Sequence, residues 1–341
     1  MSADPIKVLV VDDSAFSRKV VRESLSAAGI NVVGLARDGL EALEKIDELA
    51  PDVITLDLVM PNLDGVGVLK ALAGRRSPRV VVVSFSDGHS MLGLAALQEG
   101  AFEVVQKPTA LAISQLYEIG EKLVEVVRAA ARAPHHSSPV GPLVPAKLSG
   151  LSTTRELVVI GASTGGPNAL SRLVCSLPAS FPVPVAIVVH IPPGYTAAMA
   201  KRLDDDCKLE VLEASDGVAL QAGRVIIAHA GRHLKLTRTD GVLRCKLDLM
   251  PMESLHRPAV DVLFRSAAER VGSRTLGVVL TGMGDDGLLG SKAIREAGGT
   301  IITEAESSCV VYGMPRVVVE AGLSAAQVPI ERMAEEIVRF L

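Results

Sequence analysis

The sequence predicts two α/β domains: an N-terminal doubly wound (βα)5 unit and a C-terminal doubly wound, mostly parallel α/β unit, joined by a linker. Three observations predict this. Short runs of Val, Leu and Ile alternate with helix-period segments on both sides of a Pro-rich break. The 341 residues suffice for two cores. Aromatic residues make up only 3% of a chain that is 48% hydrophobic, so the cores are aliphatic, as in parallel sheets covered on both faces.

IKVLVV (6–11) reads as a buried parallel strand ending in Asp12 and Asp13. Phe16, Val20, Val21, Leu25 and Ala28 then share one helical face, and Gly29 is a helix stop. Val32 and Val33 begin a second strand; Leu40, Leu43, Ile46 and Leu49 mark the next helix. DVITLDL (52–58), RVVVVS (79–84) and FEVVQ (102–106) are strands three to five, and a final helix fills 111–132. Residues 1–130 therefore form the first domain, with its ligand site expected at the carboxyl ends of the strands.

Residues 133–150, APHHSSPVGPLVPAKLSG, read as a semi-extended linker, and the boundaries of the whole connecting segment are set at 131–152. Adjacent His135 and His136 read there as solvated side chains. The alternation resumes over 153–341. ELVVIGAS (156–163), VPVAIVVH (183–190) and RTLGVVLTG (274–282) are strands, and GRVIIA (223–228) and HLKLTRT (233–239) are β-like.

Composition removes several functions. A net charge of −4 argues against a nucleic-acid partner, and no terminal helix-turn-helix pattern supports a transcription-factor output. No apolar run reaches the ~18–20 residues of a membrane span, and MSADPIKV lacks the pattern of a secretion signal. Cys175, Cys207, Cys245 and Cys309 have no CxxC spacing, and no disulfide framework is expected. The reading is a reduced, cytoplasmic protein with no membrane-inserted segment.

Asp12 and Asp13 close strand one, Asp57 strand three, Ser84 strand four and Lys107, before Pro108, strand five. In a parallel sheet these ends converge. Clustered carboxylates repel one another unless a hard divalent cation such as Mg²⁺ binds, and one of them can then attack a phosphoryl group beside a compact Lys charge. Taken singly, each residue has an ordinary strand-end reading. VDDS (11–14), LDLVMPNLDG (56–65) and VQKP (105–108) together make residues 1–130 resemble the receiver domain of two-component response regulators. The resemblance implies that Asp57 is the phosphoacceptor, that Asp12 and Asp13 hold Mg²⁺ with it, that Ser84 is the switch hydroxyl and that Lys107 contacts the phosphoryl oxygens. The chain has Phe85 where that family often has a small residue or Leu.

GASTGGP (161–167) lies at a strand-to-helix turn, where a Ser is exposed beside helix N-terminal amides. It is not a phosphate loop: Ser163 interrupts GxGxxG, and Pro167 stands where Walker A needs Lys. His190 ends a second strand, and TGMGDDG (281–287) ends a third with Asp285 and Asp286. A tight turn, a structural His and a solvated acidic turn are the ordinary readings of the three loops one by one. Jointly they supply nucleophile, base and orienting acid in one crevice, in the unusual chain order Ser, His, Asp. With HIPPGYTAAMAKRLD (190–204) and LHRPAVDVLF (255–264), the three loops resemble the protein-glutamate methylesterase domain of chemotaxis.

That resemblance implies a serine esterase with Ser163 as nucleophile, His190 as general base and Asp286 as its orienter, and no cofactor for ester hydrolysis. Backbone N–H groups near Thr164 and Met283 are candidates for the oxyanion hole. Methylated chemoreceptors are the implied substrates, with methanol released from esters and ammonia from glutamines, and a chemotaxis histidine kinase is the implied phosphodonor. The unphosphorylated receiver is expected to cover the Ser163 crevice. Departures are Asp285 for a frequent Asn, and Glu304 and Glu306 for a Gln-Asp pair, which points to altered substrate recognition. The rival reading is a receiver whose second domain docks partners without catalysis.

Overall fold

Val8, Leu9, Val10 and Val11 are at most 1% exposed, as a central parallel strand between two helical layers requires. The computed structural model describes residues 5–75, 78–84, 90–107, 113–133 and 154–341. The chain divides into two units, Met1–Ser137 and Ser138–Leu341. Phe85, Pro108, His135, His136 and nearly all of the expected linker lie outside the described residues.

The first unit runs β1 (Lys7–Val11), α1 (Ala15–Ala27), β2 (Asn31–Ala36), α2 (Gly39–Leu49), β3 (Val53–Leu56), α3 (Gly65–Leu72), β4 (Arg79–Ser84), α4 (Ser90–Gln98), β5 (Glu103–Gln106) and α5 (Ile113–Arg132). Among the described residues its strands form a parallel sheet in the order β2-β1-β3-β4-β5. The strand order reverses between β1 and β3, and the open crevice of a doubly wound sheet lies at that reversal. Asp38 and Asp64 cap α2 and α3 by accepting from the Glu41 and Gly67 amides. Two residues expected inside are outside: Phe16 and Leu40 are 66% and 54% exposed. Both sit in the first turn of their helix, and the buried faces of α1 and α2 are carried instead by Val21 and Leu25 and by Gly39, Ala42 and Ile46.

The second unit runs β6 (Leu157–Ala162), α6 (Gly166–Ser176), β7 (Val185–Val189), α7 (Tyr195–Asp206), β8 (Glu210–Glu213), β9 (Arg224–Ile227), β10 (His233–Thr239), β11 (Val242–Asp248), α8 (Val260–Val271), β12 (Thr275–Val279), α9 (Leu288–Glu296), β13 (Thr300–Glu304), α10 (Met314–Glu320), β14 (Gln327–Val328) and α11 (Ile330–Arg339). Seven strands form a parallel sheet in the order β14-β13-β12-β6-β7-β9-β8. HLKLTRT does not join it. It becomes β10 of an antiparallel hairpin with β11, whose alternate residues Leu234, Leu236, Leu243 and Cys245 are buried in the core beside α8. The order reverses at β6, with β12 on one side and β7 on the other. The three strands expected to carry Ser163, His190 and Asp286 are therefore neighbours at the switch point.

One cysteine expectation is corrected. Cys175 and Cys207 form a disulfide, while Cys245 and Cys309 are buried free thiols. The separation of 32 positions hides the proximity of the bonded pair: α6 and α7 follow adjacent strands, pack side by side, and bring their carboxyl ends together.

Candidate functional site

In the first unit, Val11 pairs with Leu56, so Asp12 and Asp57 meet just past the strand ends, and the Asp57 amide donates to the Val11 carbonyl at 2.9 Å. Oxygens of Asp12, Asp13 and Asp57 lie within 4.8 Å of one another. Lys107 Nζ stands 2.5 Å from Asp57 Oδ2 and 2.6 Å from Asp12 Oδ2. Its amide donates to the carbonyl of buried Ser84 at 2.7 Å. Burial, with the neighbouring Asp57 charge, pushes the Asp12 carboxyl up even though Lys107 and the Ser14 amide oppose it. Two buried carboxylates and an exposed one are a hard-oxygen set that fits a divalent cation, with room for retained water on the Asp13 side.

In the second unit, Ala162 pairs with Val189, and the His190 amide donates to the Ala162 carbonyl at 3.1 Å. Ser163 and His190 thus leave adjacent strands at the same level. On the other side of β6, the Ser163 amide donates to the Thr281 carbonyl at 3.0 Å. That approach requires glycine at 282. A Cβ there would come within 2.7 Å of the Ser163 Cβ and 2.4 Å of the Met314 sulfur. Ser163 precedes α6 by one turn, and the Gly166 amide donates to its carbonyl at 2.6 Å.

His190 Nε2 is 2.8 Å from Asp286 Oδ2, and His190 Nδ1 is buried with no hydrogen-bond partner among the described residues. Asp286 also caps α8: its Oδ2 accepts from the Val260 amide at 2.7 Å and its Oδ1 from the Asp261 amide at 2.9 Å. Burial alone would push this carboxyl up. His190, by hydrogen bond and charge, and the two amides outweigh it and hold the Asp286 carboxyl below the ordinary carboxylate range. An ionised Asp286 accepts the Nε2 proton, so Nδ1 carries the free lone pair. Met283 is half-buried, and its amide has no partner among the described residues. Thr164 is buried, and its carbonyl accepts from the Thr281 hydroxyl at 2.9 Å. Asp285 is exposed.

Two neighbours differ from the sequence reading: His256 had no role in it, and Glu304 was expected to bear on substrate recognition. The His256 ring stacks on His190 with centroids 3.9 Å apart and planes 18° from parallel. Only its place in LHRPAVDVLF, a segment already singled out, signalled it. Glu304 is 1% exposed and does not face a substrate. Its Oε2 accepts from the Thr281 amide at 2.8 Å and its Oε1 from the Ser308 hydroxyl at 2.8 Å, so it braces the strand end that holds Ser163. Glu306 is exposed.

Comparison with known proteins follows the same division. Residues 158–337 match the family model of the CheB methylesterase, and residues 8–118 that of the response regulator receiver domain. A protein of Myxococcus xanthus named protein-glutamate methylesterase/protein-glutamine glutaminase 5 is 58% identical over 335 residues, 96% of each chain. The chain belongs to the CheB methylesterase family. A family member of Thermotoga maritima with the same name, unnumbered, is 39% identical over 343 residues, 98% of each chain. The crystal structure of the Thermotoga maritima CheB methylesterase catalytic domain superposes with a TM-score of 0.54 at 40% identity, covering 55% of this chain and 100% of that one. Among the described residues no helix is long and apolar enough to cross a membrane.

Proposed function

We propose that this chain is a phosphorylation-controlled protein-glutamate methylesterase and protein-glutamine glutaminase acting on chemoreceptors in the cytoplasm. In this reading residues 1–130 are the receiver, 131–152 the linker and 153–341 the catalytic domain. The observation that carries it is the pairing of His190 Nε2 with a capped, ionised Asp286 beside Ser163, which leaves Nδ1 as a base.

Ser163 Oγ attacks the side-chain carbonyl of a methylated glutamate while His190 Nδ1 takes its proton. The tetrahedral intermediate collapses with transfer of that proton to the leaving methoxide, and methanol departs. Water, deprotonated by Nδ1, then attacks the acyl-enzyme; the free glutamate leaves and Ser163 recovers its proton. A glutamine substrate releases ammonia by the same steps. Asp286 keeps the imidazole in the tautomer that serves Ser163 and stabilises the imidazolium formed on proton uptake. The Thr164 and Met283 amides are assigned to the oxyanion, where losing one donor costs about 3 kcal/mol of transition-state stabilisation.

In the receiver, Asp57 is assigned as phosphoacceptor from a histidine kinase. Asp12, Asp13 and Asp57 would hold Mg²⁺, which neutralises charge developing on the transferred phosphoryl group. Lys107 supplies a second positive charge to the same oxygens, and Ser84 is the hydroxyl that responds to them.

Methanol release from methylated receptor by the phosphorylated full chain tests the reading. Release that depends on Ser163 supports it. Folded, phosphorylated protein that binds receptor and releases none would make the second domain a docking module.

A further inference from the structure

Asp286 is held from two directions, and the second direction runs through a carboxylate that the mechanism does not use. Asp261 is the second residue of α8, and its own amide donates to Asp286. Its side chain points the other way along the same contact: Oδ1 accepts from the Gly287 amide at 3.0 Å and from the Gly290 amide at 2.7 Å. Gly287 is the N-cap of α9 and lacks a side chain to cap with. Asp261 therefore caps α9, as Asp286 caps α8.

The two aspartates close a ring of four backbone-to-carboxylate bonds between two helix starts. Each carboxylate is compensated by the N-terminus of the helix that carries, or follows, the other. The crossing has little slack. A Cβ on Gly290 would lie 2.5 Å from the Phe264 Cβ and 3.0 Å from the Asp261 Cα. Burial pushes the Asp261 carboxyl up, and the Asp286 charge adds to this against the Gly290 and Gly287 amides, so the pair sits as two close acids in one enclosed place.

We infer that Asp261 is a positioning residue for the esterase: by capping α9 at Gly287 and Gly290 it fixes the backbone beside Asp286 and thereby the Asp286–His190 hydrogen bond. The inference rests on the reading of Ser163, His190 and Asp286 as the reacting site. Without Asp261 the Gly287 and Gly290 amides lose their acceptor, the 284–287 turn relaxes, and Asp286 loses its aim at Nε2. An outer group of this kind commonly changes rates by about 10- to 100-fold.

The test is a double-mutant cycle on the phosphorylated full chain, read as methanol release from methylated receptor vesicles. D261A is expected to lower kcat about 10- to 100-fold at nearly constant KM. D261N keeps an oxygen acceptor for both amides and should recover most of that loss. Because Asp261 acts through Asp286, the D261A change should shrink to threefold or less in a D286A background. If D261A does not fold, D261E displaces the same oxygen by one methylene and takes its place in the cycle. Losses that multiply fully with D286A, or a lowered Tm with kcat intact below it, would reduce Asp261 to a structural cap and overturn the inference. S163A separates the two levels: an active S163A protein refutes the site itself, whereas an inactive S163A beside a fully active, folded D261A refutes only the role of Asp261.

Discussion

Replacing Glu304 with Gln should stabilise the protein in a pH-dependent way. Burial pushes the Glu304 carboxyl up to about 7 from an ordinary value of 4.5; the Glu331 charge adds to this, while the Thr281 amide, the Ser308 hydroxyl and Arg172 oppose it. The fold thus prefers the protonated acid. The stability this provides is fully present below about pH 4.5 and is lost as pH rises from there through about 7, because only the unfolded chain ionises in that window. At about 1.4 kcal/mol per pH unit, the loss amounts to about 3 kcal/mol. Gln at 304 removes the titration and preserves the geometry. Its carbonyl accepts from Thr281, its NH2 donates to Ser308 Oγ, and the Ser308 hydroxyl turns to the Ala305 carbonyl 3.4 Å away. Urea unfolding of the full chain at pH 5 to 8, followed by hydrogen exchange of the β12 and β13 amides, measures the difference. E304Q should gain on the wild type by about 2.5 kcal/mol between the two ends. Parallel stability curves would refute the buried, neutral acid.

Other consequences are simpler to test. H190A should lower ester hydrolysis by orders of magnitude with the fold intact, and D286N should cost less, since it disturbs the tautomer without removing a reacting group; equal losses in steady-state assays would contradict this. D57N should fold and accept no phosphoryl group from a Mg²⁺-dependent small phosphodonor, and acid-labile labelling at the wild-type rate would move the acceptor elsewhere. Fragment 153–341 should hydrolyse receptor esters faster than the unphosphorylated full chain and ignore a phosphodonor. A shift of ~1.4 kcal/mol between open and closed states gives a tenfold difference, and a fragment as slow as the unphosphorylated chain would replace occlusion by stimulation.

Strands were the most legible part of the sequence. A run such as IKVLVV is buried on both faces, so its composition alone marks it, and its last residues lie where a parallel sheet gathers its ligand groups. That is why Asp12, Asp57 and Lys107, and likewise Ser163, His190 and Asp286, were singled out from strand ends. What stayed hidden depends on packing between distant segments. The stacking of His256 on His190 and the capping of α9 by Asp261 join residues from distant segments with no shared local periodicity. Glu304 departs from the family's usual Gln and pointed to substrate recognition, yet its side chain is buried against the Thr281 amide and the Ser308 hydroxyl. The Cys175–Cys207 bond depends on two neighbouring helices having matched lengths, which the residue count between the cysteines does not reveal. Helix starts misled for a related reason: Phe16 and Leu40 fit the apolar spacing, but periodicity does not say which residues of a first turn the rest of the fold covers.

The most direct test of the central claim is methanol release from methylated receptor by phosphorylated full-length wild type and by S163A, measured side by side with circular dichroism of both. The wild type should release methanol, and S163A should fall by orders of magnitude with an unchanged spectrum. Full release by a folded S163A protein would remove Ser163 from the chemistry and contradict the account.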